Sequence, residues 1–193
     1  MGFKILYQDE SQFLCSNNNF RCWKFEKENI FYGEGKKEKK NLLLLIRDEV
    51  INYTINNETT NEERFLMFMN DCLKCLKEKH YEKYIIIMDN YSVHKTPKLM
   101  EFYRNNNINI LFNTPYASYF NSVELAFRSI KKVLYKKLFN NINEVESEVD
   151  KILKNENFCF SLKANFKETL EQYKIFCESN KDLRFKEKDI FEK

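Results

Sequence analysis

The order of short apolar runs and helical patterns constrains the fold of this chain most. Apolar runs of strand length occur at Leu42–Ile46, Tyr84–Met88 and Ile108–Phe112, and stretches with helical spacing of apolar residues separate them. Strands joined by helices pair in parallel through right-handed crossovers, whereas strands joined by tight turns pair antiparallel. The order therefore predicts an α/β fold in which a β-meander is followed by parallel strands.

The first third of the chain supplies the predicted meander. Phe3–Gln8 has the composition of a strand, and Trp23–Tyr32 carries β-type residues that end at a turn signal, Gly33-x-Gly35. The unbroken apolar run Leu42–Ile46 suits a buried sheet position, whereas the alternating residues Ile51–Ile55 are typical of an edge strand.

Helical patterns fill the remainder. Thr60 begins a capping box before a helix that is predicted to end near Lys79, and Thr96-Pro97 begins a second one that ends near Arg104. An amphipathic helix is predicted from Val123 to Leu138. Two further helices carry apolar residues at helical spacing: Val145, Val149, Ile152 and Leu153 in one, and Leu162, Phe166, Leu170, Tyr173 and Phe176 in the other.

Length and composition predict one globular domain. The chain has 193 residues, of which 43% are apolar and 32% charged, so it can bury a core. It has no signal peptide and no apolar run of the ~20 residues that span a bilayer, so we expect an intracellular protein with no membrane partner and reduced cysteines. Cys72-x-x-Cys75 lies in a helical pattern without a second pair, which favours packing over zinc binding.

Three acids carry the chemical signal. Asp9 follows the first apolar run, Asp89 follows Tyr84–Met88, and Glu124 opens a helix, with 34 residues between it and Asp89. Acids at the carboxyl ends of adjacent strands lie where open α/β sheets bind ligands. Hard oxygen ligands suit Mg²⁺ or Mn²⁺, with positions left for a phosphate. The pattern therefore predicts a divalent cation and phosphodiester chemistry.

Clustered acids repel one another. Two carboxylates within about 4 Å repel by ~1 kcal/mol in water and ~4 kcal/mol at an effective dielectric of 20. Without a cation, we therefore expect the pKa values of the acids to rise.

Each acid also has an ordinary structural interpretation. Glu124 could complete a capping box with Asn121 or pair with Arg128 one turn later. Asp89 could belong to a turn after a strand, and Asp9 could be a solvated strand end.

Three segments resemble the catalytic blocks of the DDE superfamily endonucleases, the catalytic domains of mariner-like and related bacterial transposases. They are Asp9-Glu10-Ser11-Gln12-Phe13, Asp89-Asn90-Tyr91-Ser92-Val93-His94 and the segment from Pro115 to Glu124. The resemblance implies an RNase H-like mixed sheet flanked by helices. It places the endonuclease domain in residues 1–155, with a C-terminal helix and charged tail, 156–193, that packs on or trails the same domain.

The resemblance also implies an activity. Asp9, Asp89 and Glu124 match the family's metal-binding catalytic triad, which holds two Mg²⁺ or Mn²⁺ ions. One ion would activate a water or a DNA 3′-hydroxyl while the other stabilises the leaving oxygen, giving strand cleavage and then strand transfer. The implied partners are transposon-end and target DNA, with a homodimer or a separate DNA-recognition subunit, and the implied location is the nucleus.

Other candidates lie in the same three blocks. Asn90, His94 and Asn121 could support the acids. A loop role suits His94 equally well, and the sequence favours a turn residue at Asn90 and a helix cap at Asn121. Arg128, Lys131 and Lys132 share a predicted helix face with Glu124 and could contact DNA phosphates; the alternative is a polar helix face.

The chain also departs from the family pattern. Tyr91 stands where a small residue is usual, and Ser118 and Ser122 stand where prolines are usual. The first strand begins close to Met1, so we expect no N-terminal helix-turn-helix region. Two alternative functions follow: an inactive or domesticated remnant that acts as a DNA-binding or interaction module, and a general RNase H-like nuclease.

Overall fold

One mixed sheet forms the centre of the structure. The computed structural model describes residues 3–15, 38–113 and 121–179. Within these ranges the sheet has five strands in the order β3-β2-β1-β4-β5. They are β1 (Lys4–Leu14), β2 (Lys39–Ile46), β3 (Val50–Asn56), β4 (Tyr84–Met88) and β5 (Asn109–Phe112). β1 pairs antiparallel with β2 and β2 with β3, whereas β4 pairs in parallel with β1 and β5, so the predicted meander and parallel strands are confirmed.

Helices cover both faces of the sheet. The described α-helices are α1 (Glu62–Glu78), α2 (Pro97–Asn105), α3 (Ser122–Leu134), α4 (Ile142–Leu153) and α5 (Glu156–Ser179). A short 3-10 turn, Ser92–Lys95, lies between β4 and α2. One apolar core joins α3, α4 and α5 to one sheet face, and a second joins α1 and α2 to the other.

Strand alternation decides which residues reach which core. Tyr7 of β1 packs in the α3–α5 core, whereas its neighbour Leu6 packs in the α1–α2 core. Because successive side chains of a strand point to opposite faces, Asp9 shares a face with Tyr7, and Glu10 shares the other with Leu6. The two neighbouring acids are therefore directed to opposite sides of the sheet.

Several predicted boundaries are corrected. β1 continues to Leu14 rather than ending at Gln8, because its second half pairs with β2 as far as Leu14↔Lys39. Backbone pairing does not depend on side-chain polarity, so Asp9 lies inside the strand and not at its end. The N-cap of α1 is Asn61 rather than Thr60, since its side chain accepts a hydrogen bond from the Arg64 amide at 2.9 Å.

The third predicted helix is shorter than its apolar pattern suggested. α3 ends at Leu134 and not at Leu138. The amides of Lys136 and Lys137 donate to the carbonyl oxygens three residues earlier, at 3.1 and 3.0 Å, which is the tightened geometry of a helix end.

Some predictions lie outside the described residues. These are the Trp23–Tyr32 strand, the turn at Gly33 and Gly35, and the loop that begins at Pro115. In the described ranges, no helix combines the length and the apolar character needed to cross a bilayer.

Candidate active site

Asp9 and Asp89 lie on neighbouring strands. The parallel register of β1 and β4 pairs Lys4 with Tyr84 and Tyr7 with Ile87. Continuing that register by two residues brings Asp9 level with Asp89, which directly follows β4. The sheet therefore brings together two acids that are 80 positions apart in the sequence.

Asn121 connects the helix that carries Glu124 to Asp9. The Asp9 Oδ2 atom accepts a hydrogen bond from Asn121 Nδ2 at 2.9 Å, and Asp9 Oδ1 accepts one from the Glu10 amide at 2.7 Å. Asn121 is also the N-cap of α3, where its Oδ1 accepts from the Val123 amide at 3.3 Å. Because Glu124 lies in the first turn of α3, the Asn121 contact sets that turn against Asp9.

The charge of Asp9 is disfavoured in this position. Burial is the main cause that raises the pKa of Asp9, from 3.8 to about 7. Repulsion from Glu124, Asp89 and Glu10 raises it further, while the hydrogen bond from the Glu10 amide opposes the shift. The rise predicted for clustered acids thus applies to Asp9.

Asp89 behaves in the opposite way, which corrects the prediction that its pKa would also rise. Burial acts to raise the pKa of Asp89, but contacts with His94 and with the Tyr91 amide outweigh it and lower the pKa. Asp89 Oδ1 accepts from the Tyr91 amide at 3.1 Å and lies 2.9 Å from His94 Nδ1.

The buried His94 ring contacts the carboxylates of both Glu10 and Asp89. Its side chain is 1% exposed, and its Nε2 atom lies 3.0 Å from Glu10 Oε1. The Nδ1 atom has the ion-pair distance to Asp89 without the angular geometry of a hydrogen bond. Burial alone would lower the pKa of His94, but the carboxylates of Asp89 and Glu10 raise it to about 9. At neutral pH the ring is therefore an imidazolium.

The acids fit a divalent cation by their chemistry. Asp9, Asp89 and Glu124 offer carboxylate oxygens, the ligands that Mg²⁺ and Mn²⁺ prefer. Their mutual repulsion at Asp9 is what a bound cation would relieve. As the side chains stand, no three His, Cys, Asp or Glu groups in the described ranges are arranged to hold a metal ion.

A basic groove runs along α3 away from Glu124. It has a volume of about 690 Å³ and is lined by Glu124, Phe127, Arg128, Ser129, Lys131, Lys132 and Tyr135. The Lys131 ammonium lies 5.8 Å from the centre of the Phe13 ring. A second groove of about 490 Å³, between α3 and α5, also contains Glu124 and Arg128. The three predicted DNA-contacting cations therefore line one groove together with Glu124.

Only some of the other predicted site residues contact the grouped acids. Asn121 contacts Asp9, whereas Asn90 is exposed. No ion pair joins Glu124 to Arg128 in the described part of the chain, where both side chains are exposed. Sequence reasoning missed Glu10, which contacts His94. Its position in the alternation Leu6, Gln8, Glu10 was the available signal, because it places Glu10 on a buried face.

Comparisons with known proteins identify the class of this α/β domain. Residues 4–146 match the sequence profile of the family described as DDE superfamily endonuclease. This match covers most of the chain, so the protein belongs to that family. A search of curated protein sequences gave no significant match.

Solved structures of the Mos1 mariner transposase have the same fold. The Mos1 paired-end complex with the left transposon end superposes with a TM-score of 0.69 at 18% identity, over 87% of this chain and 53% of that chain. The paired-end complex with Mg gives 0.71 at 18%, over 92% and 55%. The Mos1 catalytic domain gives 0.66 at 18%, over 87% and 79%. The fold is therefore RNase H-like, and the chain spans about half the length of the Mos1 chains in the paired-end complexes.

Proposed function

We propose that this protein is the catalytic domain of a mariner-like transposase, which cleaves and joins DNA strands with a divalent cation. Asp9, Asp89 and Glu124 would hold Mg²⁺ or Mn²⁺, two ions in the full site. When bound, the metal would activate the attacking oxygen and stabilise the leaving oxygen. Family membership supports nuclease chemistry, and Mos1 structures are described with Mg and with Mn.

One observation supports the proposal: three acids from β1, the end of β4 and the start of α3 lie close together. Burial is the main cause that raises the pKa of Asp9, and repulsion from Glu124 and Asp89 raises it further. Repulsion between nearby carboxylates destabilises the folded state, and a purely structural role of these acids offers no compensating interaction. A cation-binding role explains the grouping.

DNA is the proposed partner. Mos1 structures are described as complexes with transposon ends, and the groove along α3 offers Arg128, Lys131 and Lys132 to a phosphate backbone. Recognition of transposon ends and target DNA, assembly as a homodimer or with a separate recognition subunit, and a nuclear location belong to the same proposal. The C-terminal helix is proposed to pack on the endonuclease domain of residues 1–155, because α5 contributes Phe158, Leu162 and Phe166 to the α3–α5 core. The charged tail after it lies outside the described residues.

Thermal unfolding with and without Mn²⁺ tests the cation site without requiring a DNA substrate. A ligand at 100 times its Kd stabilises the folded state by ~2.7 kcal/mol, so Mn²⁺ should raise the Tm of the native chain. Asp89→Asn should fold but show no response to Mn²⁺. Asp71→Asn, an exposed acid on α1 that pairs with Lys74, is the matched control and should respond like the native chain.

Cleavage assays then separate the possible activities. The native chain should nick duplex DNA in the presence of Mn²⁺, and Asp89→Asn should not. Retained nicking in Asp89→Asn would refute the assignment of the acids. Cleavage of RNA in an RNA–DNA hybrid, without DNA nicking, would favour a general RNase H-like nuclease, and a chain that binds DNA but ignores Mn²⁺ would favour an inactive binding module.

A further inference from the structure

Glu10 lies on the face of the sheet opposite to Asp9 and is directed away from the grouped acids. It shares that face with Leu6, in the core formed with α1 and α2. Its side chain is nevertheless only 23% exposed, and its Oε1 atom lies 3.0 Å from Nε2 of the buried His94 ring. The partly buried Glu10 carboxylate, on the strand that carries Asp9, therefore contacts the grouped acids through the His94 side chain.

The buried His94 ring packs against two aromatic rings. The Phe65 ring packs against it at a tilt of 31°, with centroids 4.2 Å apart, and the Tyr91 ring meets it edge-on at 5.7 Å. Its backbone carbonyl accepts a hydrogen bond from the Tyr103 hydroxyl at 3.2 Å. In the orientation in which Nε2 contacts Glu10, Nδ1 lies 2.9 Å from Asp89 Oδ1.

This contact fixes the Asp89 carboxylate in turn. Oδ1 of Asp89 is held by His94 Nδ1 and by the Tyr91 amide. Within the described residues, its other oxygen, Oδ2, has neither a hydrogen bond nor an ion pair. A carboxylate with one oxygen engaged by an amide hydrogen bond and an ion pair presents the other in a defined direction, as supporting partners do for metal ligands.

We propose that Glu10 is a positioning residue for the cation site: it orients His94, which holds Asp89 with one oxygen directed to the metal. The chain Glu10–His94–Asp89 links the two faces of the sheet across the junction of β1 and β4. This inference rests on the proposed function, because it requires that Asp89 bind the cation. Glu10 itself touches neither the metal nor the substrate.

Mn²⁺ binding to the full chain, measured by electron paramagnetic resonance of the free ion, is the first test. Loss of a supporting partner typically weakens metal binding 10- to 100-fold, so we expect a fall of about that size for Glu10→Ala. Glu10→Gln keeps an acceptor oxygen at the same reach and should bind Mn²⁺ more tightly than Glu10→Ala. Gln12→Ala is the matched control, since Gln12 lies on the same strand and face but contacts Asn41 instead.

An NMR measurement without metal distinguishes loss of the Glu10–His94 contact from loss of the folded structure. The chain has two histidines, His80 and His94, so the imidazole NMR signals are readily assigned. The Nε2–H of buried His94, which faces Glu10, should exchange slowly with water in the native chain and in Glu10→Gln, and quickly in Glu10→Ala. A folded Glu10→Ala protein whose Nε2–H still exchanges slowly would overturn the proposed contact.

Mn²⁺ binding by the native chain and its variants shows whether the positioning role alone is wrong or the cation site as well. If the native chain binds Mn²⁺, Asp89→Asn does not, and Glu10→Ala binds like the native chain, then the positioning role is wrong and the cation site stands. If the native chain itself does not bind Mn²⁺, both proposals are wrong. Weak binding in Glu10→Ala, with recovery in Glu10→Gln, supports the positioning role.

Discussion

Asp9 and Asp89 are neighbours with opposite electrostatic environments. Asp9 has a raised pKa because it is buried and repelled by other acids. Asp89 has a lowered pKa because His94 and the Tyr91 amide stabilise its charge. The two carboxylates therefore have opposite pKa shifts because burial dominates at Asp9, whereas contacts with His94 and the Tyr91 amide dominate at Asp89.

Stability should fall with rising pH because of Asp9. Its folded-state pKa of about 7 exceeds the ordinary 3.8, so the folded protein retains a proton that the unfolded chain has lost. The free energy of unfolding of the metal-free protein should fall by about 2 kcal/mol between about pH 5 and pH 6.5. Asp9→Asn should remove this fall, as measured by urea unfolding in EDTA.

In this pH interval, the expected change in the free energy of unfolding comes from Asp9 and not from His94. The pKa of His94 is raised from 6.5 to about 9, so the stability that its ion pairs supply is lost only above pH 6.5. A slope in Asp9→Asn equal to that of the native chain would contradict the assigned environment of Asp9.

At the scale of elements, the start of α3 joins helix to sheet. One side chain, Asn121, caps the helix through Oδ1 and holds Asp9 of β1 through Nδ2. The cap places Glu124 within the first turn, on the side of the sheet that carries Asp9. A local capping signal thus has a second, tertiary role that brings two of the three acids together.

Variants of Asn121 should separate those two roles. Serine caps a helix about as well as asparagine but is too short to reach Asp9, so Asn121→Ser should be more stable than Asn121→Ala by ~1 kcal/mol. Both variants lose the contact with Asp9 and should bind Mn²⁺ about 10-fold more weakly. Calorimetric titration with Mn²⁺ and urea unfolding measure the two effects.

Asn141 provides the matched control. It caps α4 by accepting from the Glu144 amide at 3.0 Å, away from the grouped acids. Asn141→Ala should cost similar stability and leave Mn²⁺ binding unchanged. Native Mn²⁺ affinity in Asn121→Ser would show that the contact with Asp9 is not needed for the site.

At the scale of the molecule, the sheet separates two cores and places the acids where β1 and β4 run side by side. On the α3 side, a groove with three cations leads away from Glu124. On the other side, His94 and Glu10 support Asp89. The cations of the groove are therefore adjacent to Glu124 at the start of α3.

Salt dependence of DNA binding tests the proposed phosphate contacts of the groove. Each lost phosphate contact lowers the slope of log K against log salt by about 1, so Arg128→Ala and Lys132→Ala should each flatten the slope by that amount. Fluorescence anisotropy with duplex DNA measures it. Lys77→Ala, an exposed lysine on α1 of the opposite face, should leave the slope unchanged, and an equal effect there would indicate diffuse charge attraction instead.

Much of this fold follows from local pattern. The apolar runs of β2 and β4, the alternation of β3 and the helical spacings of α1 to α5 are each encoded within a few turns of chain, so periodicity predicts them. The three candidate acids are also apparent in the sequence, since each stands beside such a pattern within a block that resembles one family. Boundaries were less predictable: β1 extends through polar residues because β2 pairs with their backbone.

The sequence by itself therefore determined the class of fold, the family and the acids in question, because these depend on residue type and short-range spacing. Only the tertiary structure decided how those acids are supported. Glu10 and Phe65 reach His94 from other elements, and Asn121 reaches Asp9 across 112 positions. The opposite pKa shifts of Asp9 and Asp89 have the same origin, because burial and charge contacts arise only when distant segments pack together.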